Sequence, residues 1–590
     1  MASTQSLPIV EPLDCRRLCA AGDLDPAFNH AALVKTDFPS GSGVIADVEV
    51  LPDGGILAAG TVRVRDGDTL TDKTQLALVK YRFDGSLDTS FGVGGKIVNT
   101  PRGMSGAVRL QLTPDRGFLV MGSPRTYDGP NSNDNPVVAS FASPATNMSV
   151  MLLKFTATGK VDTRFGKNGV IKPDGIDTFT VDPQGRILVG GFRNHPGVPA
   201  SSYATDATLT RYAAGGALDT SFNDTGQFVS IAPDIVEEES HYQTFRSIAV
   251  DDHGRILGAM EIFSTFGGDE TTDGLGYAYT QMFRLSDRGQ VDASYTGERI
   301  PQLRHIAGVL DDGSTILIGK TIARVDPVGQ LDASYGNNGV ANTTALTPRA
   351  SANVYLRQAE ERAALSADGS IVFANVATPG RLELTRINPQ GQPDAGFGDS
   401  GTLTIATDDD PDALGYLDTV ELAPDGSVVF AGQSGTLTPK SAATRDLDQF
   451  PRVTIENDTR SATIGRVLSG AGPAVQLVPR TIASTALSLY VSVMIRDPEG
   501  VDLASLDDDD LKLIDGAGNV RRFRFVASRD RYGDGTYVAA RYRITAPGAS
   551  AWTSANNGIY QVCLKGKQLA NHDGNRAAAQ PLGPVCVKIF

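Results

Sequence analysis

An all-β chain, a seven-bladed β-propeller followed by an immunoglobulin-like β-sandwich, is what this 590-residue sequence predicts. Three observations carry the expectation. A Leu-Asp-x-Ser-Phe-Gly phrase, or a near variant, recurs seven times. An Asp-Gly turn phrase followed by a β-branched, apolar run also recurs seven times. From Ser484 onward, short alternating strands continue without any such repeat.

The first phrase reads LDPAFN at 24–29, LDTSFG at 87–92, VDTRFG at 161–166, LDTSFN at 218–223, VDASYT at 291–296, LDASYG at 331–336 and PDAGFG at 393–398. It places Asp25, Asp88, Asp162, Asp219, Asp292, Asp332 and Asp394 three residues before Phe28, Phe91, Phe165, Phe222, Tyr295, Tyr335 and Phe397. The mean separation of about 61 residues lies in the range of propeller repeats. The expected roles are structural. Leu or Val enters the core, Asp accepts backbone hydrogen bonds in a turn, and the aromatic packs between blades. The alternative is a ring of seven carboxylates that binds cations or a ligand.

The second phrase runs from PDGGILAAG at 52–60 to PDGSVVFAG at 424–432, and an Asp-Gly pair between apolar runs marks a tight hairpin. The third, such as LALVKYRFDG at 76–85 or TLTRYAAGG at 208–216, is an apolar strand entering a Gly-rich turn. Four short strands per unit follow, which is the composition of a propeller blade. Only six copies of the third phrase stand out, so the last blade is expected to borrow a strand, with 446–455 (DLDQFPRVTI) as the candidate.

These phrases, in this fixed order over residues 22–433, resemble the delta-60 repeat family of bacterial proteins. That family is defined by its repeat, so the resemblance implies a fold and no particular chemistry. Segment 10–22 (VEPLDCRRLCAAG) resembles the N-terminal Leu-Glu-Pro-Arg-x-Leu-Leu motif of large bacterial surface proteins, through Glu11, Arg16, Arg17, Leu18, Ala20 and Ala21. It implies export or surface association, against the alternative of an ordinary exposed leader. The expected domains are a leader over 1–22, the propeller over 23–433, a linker or propeller-closing segment over 434–483 and the sandwich over 484–590.

In the last region, 542–564 (YRITAPGASAWTSANNGIYQVCL) resembles a module found at the ends of bacterial surface and adhesion proteins, and Trp552 is expected in the sandwich core or as a cap on its end. Cys563 and Cys586 lie on strand-like runs and would form a disulfide in an oxidising compartment; two reduced thiols are the alternative. Cys15 and Cys19 have no nearby partners suited to zinc. Acidic runs at Asp507–Asp510 and at Asp408, Asp409, Asp410 and Asp412 raise the question of calcium. Neither has the Asp-x-Asp-x-Asp-Gly order of a calcium loop, so solvated acidic loops and no cofactor are expected.

A net charge of −15 argues against a nucleic-acid partner, and no run of 18 apolar residues suggests a transmembrane helix. There is no Gly-x-Ser-x-Gly elbow, His-Glu-x-x-His, phosphate loop or dinucleotide fingerprint. The expected function is therefore a non-enzymatic, monomeric binding and scaffold protein. It would be extracellular or at the cell surface, with a protein or cell-wall glycan as ligand. The alternatives are a propeller-based carbohydrate-active enzyme with carboxylates in the central funnel, and a cytoplasmic location.

Overall fold

A computed structural model describes the chain from Asp25 to Val587, apart from 124–149, 197–203, 231–238, 267–277, 343–362, 407–413, 440–454, 468–473, 546–551 and shorter connections. The protein is all-β: among the described residues there is no α-helix, only short 3-10 turns. Between Leu33 and Val467 the strands form seven consecutive antiparallel sheets, six of four strands and one of three, with a two-stranded ribbon (Leu437–Pro439 and Ile455–Asp458) beside them.

Each sheet opens with an inner strand. These are Gly43–Val50, Gly106–Leu112, Ile176–Val181, Glu239–Val250, His305–Val309, Ala363–Leu365 and Leu414–Leu422. A tight turn follows in every case, with Gly at positive φ in six, as at Gly54, Gly185, Gly254 and Gly426, and Arg116 in that conformation in the second sheet. Each inner strand touches the next, and the last returns to the first, so the sheets stand in a closed ring around an axis. The apolar cores follow the same circle. Leu57, Leu78 and Phe91 of the first sheet pack with Leu110, Phe118 and Leu153 of the second. Val372, Leu384 and Phe397 of the sixth pack with Val420, Phe430 and Val467 of the seventh. Ala431 and Ile464 of the seventh then pack with Ile45, Val48 and Ile56 of the first.

The Leu-Asp phrases sit where one sheet meets the next. All seven aromatics are buried, none above 8% exposed, which makes them interior residues rather than ligand-facing ones. Phe28, Phe91, Phe165, Phe222 and Tyr295 each lie against a glycine in the following sheet: Gly85, Gly159, Gly216, Gly289 and Gly329. Those glycines have φ between 77° and 93°, and a Cβ there would come within 2.2–2.9 Å of neighbouring atoms. Both the backbone and the ring demand glycine, which is why the third phrase ends in Gly. In the same phrases Asp88, Asp219, Asp292 and Asp332 accept the backbone N–H two residues on, at 3.0–3.2 Å. The leading Leu or Val enters the core only in part: Leu87, Val161 and Leu331 are half-buried against the inter-sheet cores, whereas Leu218 is 48% and Val291 58% exposed at the rim end of the third strand.

A basic residue of the third strand, eight positions before Asp, completes the unit. Arg284 Nε lies 2.8 Å from Asp292 Oδ2, its guanidinium stands 4.7 Å from the Tyr295 centroid, and Nη1 donates to the Pro327 carbonyl of the next sheet at 2.6 Å. Arg211, Arg324 and Arg386 repeat the carboxylate pair and the ring contact. Lys80 pairs with Asp88 at 3.2 Å. Each arginine clamp thus ties an Asp and an aromatic together, and Arg211, Arg284 and Arg324 carry the tie to the next sheet.

The seventh unit corrects the expected closing strand. Of 446–455, the first nine residues lie outside the described residues and Ile455 begins a strand of the two-stranded ribbon. The ring is closed instead by Ser461–Val467 (SATIGRV), paired on one side with Val428–Ser434 and on the other with Leu33–Thr36 from the start of the chain. Arg466 is the basic residue of this seventh third strand. It ion-pairs with Asp25 at 3.3 Å, stands 4.9 Å from the Phe28 ring and donates to the Phe83 carbonyl. Asp25 N–H bonds the Arg466 carbonyl at 2.9 Å, as Asp88 N–H bonds that of Lys80 at 2.8 Å. The first Leu-Asp phrase of the sequence therefore belongs to the last sheet of the ring.

Beyond the ring, two further sheets share one core. One holds Ala474–Leu477, Ser488–Arg496, Tyr537–Thr545 and Arg524–Asp530; the other holds Thr481–Ile482, Gln580–Val587, Gly558–Leu564, Leu511–Ile514 and Val520–Arg522. Trp552 is fully buried between them, edge-on to Tyr560 at 5.8 Å. The expected disulfide is absent. Cys563 is a free thiol whose register partner is Pro581, whereas Cys586 is paired with Ile559. Four residues of strand separate the two positions, about 13 Å, and a disulfide needs Cα atoms within about 7 Å.

The two regions meet at the ring closure. Arg496, 2% exposed, reaches Asp25 from the second region and stands 4.9 Å from the Phe83 ring, and Tyr537 packs on Phe83 at 6.2 Å. Asp25 thus serves two arginines, both fully buried.

Candidate functional site on the ring axis

The inner strands have an exposed edge of backbone N–H groups facing the axis, and such edges need partners. Side chains supply them from sheet to sheet. Asp47 Oδ2 accepts the Leu110 N–H at 2.7 Å, Gln111 Oε1 the Val181 N–H at 3.0 Å, and Ser247 Oγ the Ile306 N–H at 3.1 Å. Register pairs Glu49, Gln111, Thr180, Ala249, Gly308, Ala364 and Glu421 with equivalent residues of the second strands, so these seven occupy one level of the axis. One step along lie Asp47, Arg109, Thr178, Ser247 and Thr419, each directly after a β-bulge.

The polar groups are unevenly spread. Asp47, Glu49 and Glu421 gather where the seventh, first and second sheets meet, with Arg109 beside them. Burial pushes Asp47 up to about 6, against the pull of the Leu110 and Val48 N–H groups, Arg109 and Thr419. Burial, with the charge of Asp47, pushes Glu421 up to about 8. Burial and the charges of Glu421 and Asp47 also hold Glu49 well above the usual carboxylate range. Glu421 therefore keeps its proton at neutral pH and can both donate and accept hydrogen bonds, while Asp47 beside it is mostly ionised there and accepts.

Arg109 also lines a cavity of about 320 Å³ at the end of the axis that carries the Asp-Gly turns. Thr180, Asp252, His253, Asp311 and the edges of Ile248–Asp251 and Ile306–Leu310 complete its wall. Its size falls in the range of small-ligand sites. Arg109 Nη1 donates to Thr178 Oγ1 at 2.7 Å, which fixes the guanidinium between the cavity and the carboxyl group.

A second charged group lies on the bulge residues of the third and fourth sheets. Arg246 holds Glu261 at 3.1 Å and Asp177 at 3.7 Å, Thr244 donates to Asp177 at 2.6 Å, and His305 lies 3.7 Å from Glu261. All are buried, and burial with the charge of Asp177 pushes the Tyr242 phenol far up. Its members hold one another between sheets, as in a structural ion-pair network.

None of the seven repeat aspartates reaches the axial cavity; six pair with the basic residue of the clamps between sheets, and Asp162 pairs instead with Arg164, since Lys154 turns to Asp115. The acidic run at 507–510 is used internally. Asp510 accepts the Asp507 N–H and the Tyr542 hydroxyl, Asp508 the Phe525 N–H, and Asp509 pairs with Lys565. Asp408–Asp410, Asp412, Cys15, Cys19 and the 10–22 motif lie outside the described residues. Among the described residues no three His, Cys, Asp or Glu side chains are grouped to hold a metal ion, and no helix is long and apolar enough to cross a membrane. Sequence reading missed the axial residues because they differ from unit to unit. One signal would have found a level of them: Glu49, Gln111, Thr180, Ala249, Gly308, Ala364 and Glu421 each stand four positions before the Asp, or its equivalent, of the turn phrase.

No family profile matches this chain, and no curated protein sequence does. Solved structures are similar at low identity. An ulvan lyase from a polysaccharide lyase family matches at 8% identity and a TM-score of 0.34, over 72% of this chain and 95% of its own. An α-L-arabinofuranosidase of Fusarium graminearum matches at 12% and 0.29, over 74% and 98%. The plexin A4 extracellular region matches at 10% and 0.29, over 93% of this chain and 62% of its own.

Proposed function

We propose that the chain is a seven-bladed β-propeller of delta-60-like repeats followed by an immunoglobulin-like β-sandwich. In this reading it is an exported binding and scaffold protein whose axial cavity takes a hydroxyl-rich ligand of the glycan class. The observation that carries the ligand reading is the cavity wall: Arg109, Thr180 and His253 line it, and Arg109 joins it to a carboxyl group in which protonated Glu421 can donate and Asp47 accept. Such a wall suits hydroxyl groups, which also do both. Repetition supports the scaffold part, since the clamps make a rigid disc around the site. A glycan array probed with the parent and with Arg109→Ala tests it. A saccharide class held by the parent and lost by the variant is expected; no saccharide bound, or equal binding by both, overturns it. Cell fractionation tests export, and recovery of all the protein from the cytoplasm would remove that part.

A second reading, a carbohydrate-active enzyme, is favoured by one feature. Glu421, at about 8, is protonated at neutral pH beside Asp47, and a protonated and an ionised carboxyl are the two parts that glycoside cleavage needs. New reducing ends from a polysaccharide, abolished by Glu421→Gln, would replace the binding reading by this one.

A further inference from the structure

The chain is acidic overall, yet Val520–Thr545 holds seven arginines, two acidic residues and no lysine. Four of these arginines meet on one face. In the sheet of the second region, Arg524 on Arg524–Asp530 is directly opposite Arg543 on Tyr537–Thr545. Ala527 is opposite Arg541 and Arg529 opposite Ala539, so Arg529 and Arg541 share the side of Arg524 and Arg543. That side faces away from the core: Arg524, Arg529 and Arg541 are exposed and Arg543 half-buried, while the intervening Val538, Ala540, Tyr542 and Ile544 are buried. The next strand adds Tyr490, opposite Arg543, with the Arg541 guanidinium stacked 4.2 Å from its ring centroid.

Like charges directly opposite across a sheet are destabilising, so Arg524 beside Arg543 is not explained by stability. Among the described residues none of the four arginines forms an ion pair. The nearby acids are engaged elsewhere: Asp508 accepts the Phe525 N–H, Asp509 pairs with Lys565, and Asp530 accepts the Gly533 and Gly535 N–H groups. The pairs span about 13 Å along the strands. A flat face of guanidinium forks without lysine is built for planar or tetrahedral oxyanions, which arginine grips with two parallel bonds and lysine does not. Phosphates would be gripped in the same way, but a membrane surface or a nucleic-acid duplex is broad and would also meet the rest of this acidic chain, whereas a single polysaccharide strand can stay on this face.

We infer that this sheet face is a second binding surface, distinct from the axial cavity, for an acidic polysaccharide bearing carboxylate or sulfate groups. The test uses the full chain against immobilised polygalacturonate and heparin, with dextran as the neutral probe. Both acidic polymers bind and dextran does not. Arg524→Gln/Arg541→Gln/Arg543→Gln together lower the affinity about tenfold or more. The same three positions changed to Lys recover only part of it. Arg109→Ala, in the axial cavity, leaves this binding intact, so failure here and failure of the axial reading are separable. A thermal melt of the Gln variant at or above the parent verifies that the fold survives loss of the opposed charges. The inference is overturned if neither acidic polymer binds, if the Gln variant binds as the parent does, or if the Lys variant is fully active. It is equally overturned if phosphatidylserine–phosphatidylcholine vesicles or a DNA duplex bind more tightly than both polymers.

Discussion

The ring and the C-terminal sheets solve the same burial problem in opposite ways. The ring has many small cores, each shared by two neighbouring sheets and fastened by a repeated Arg–Asp–aromatic clamp. The C-terminal sheets have one continuous core, with Trp552 inside and no repeated fastening. A defect in the ring is therefore felt first by two sheets, and a defect in the C-terminal core by all of its strands. The exception is Asp25, which belongs to both regions at once through Arg466 and Arg496.

The sharpest way to break the contrast is at that residue. Asp25→Ala leaves two buried guanidinium groups without their shared carboxylate, and removing one partner of a buried pair costs about 3–5 kcal/mol. Limited proteolysis should then release fragments from both regions; damage confined to one would show that they fold independently. Next in size, Phe91→Ala empties the space between the first two sheets and should cost about 3 kcal/mol in a thermal melt. An unchanged melt would mean that the inter-sheet core is not where ring stability resides.

A smaller effect tests the axis. Glu421 has a folded pKa of about 8, above its ordinary 4.5. A raised carboxyl contributes stability that is fully present below 4.5 and lost as pH rises through 8. The ring should therefore melt at lower temperature as pH climbs through that window, and Glu421→Gln should flatten the slope; a parent curve already flat would contradict the assignment. Smallest of all, Lys80→Ala removes a partly exposed partner of Asp88 and should change stability by about 1 kcal/mol or less. A larger loss would mark the clamp as a main support rather than an alignment device.

Much of the ring was legible in the sequence because turns are chemically specific. Gly85, Gly159 and Gly216 must be glycine, so they repeat, and repetition is what reading detects. The basic clamp residue repeats as well, but Lys80 stands where later units have arginine and Lys154 pairs with Asp115 instead, and the arginines pass as surface charge until their ring contacts are seen. The Leu of the Leu-Asp phrase is core only in part: an apolar residue is ordinarily assigned there, and Leu87, Val161 and Leu331 do pack on the inter-sheet cores, whereas Leu218 and Val291 stand on the rim. Segment 461–467 escaped notice because its Leu-Asp phrase lies at the other end of the chain, so the order of phrases is broken there. Cys563 and Cys586 suggested a bridge because two strand-borne cysteines are close in sequence, but the register of an antiparallel pair sets them about 13 Å apart. The axial carboxyls were hidden for the opposite reason to the glycines. A site needs different residues on different sheets, so it leaves no periodic trace.

Strand Leu33–Thr36 and its partner Ser461–Val467 fix a timetable as well as a shape. During synthesis the first strand emerges from the ribosome long before its partner exists, and its edge stays unpaired while six sheets are made. Arg496, made later still, reaches the same Asp25 from the second region. Closure is therefore the last event of ring assembly rather than the first, and a chain halted before 461 is an open arc with two bare edges, the kind of surface on which chains join one another. The position of one short strand makes this protein's maturation a matter of completed length: the disc exists only once the chain has been made through Val467.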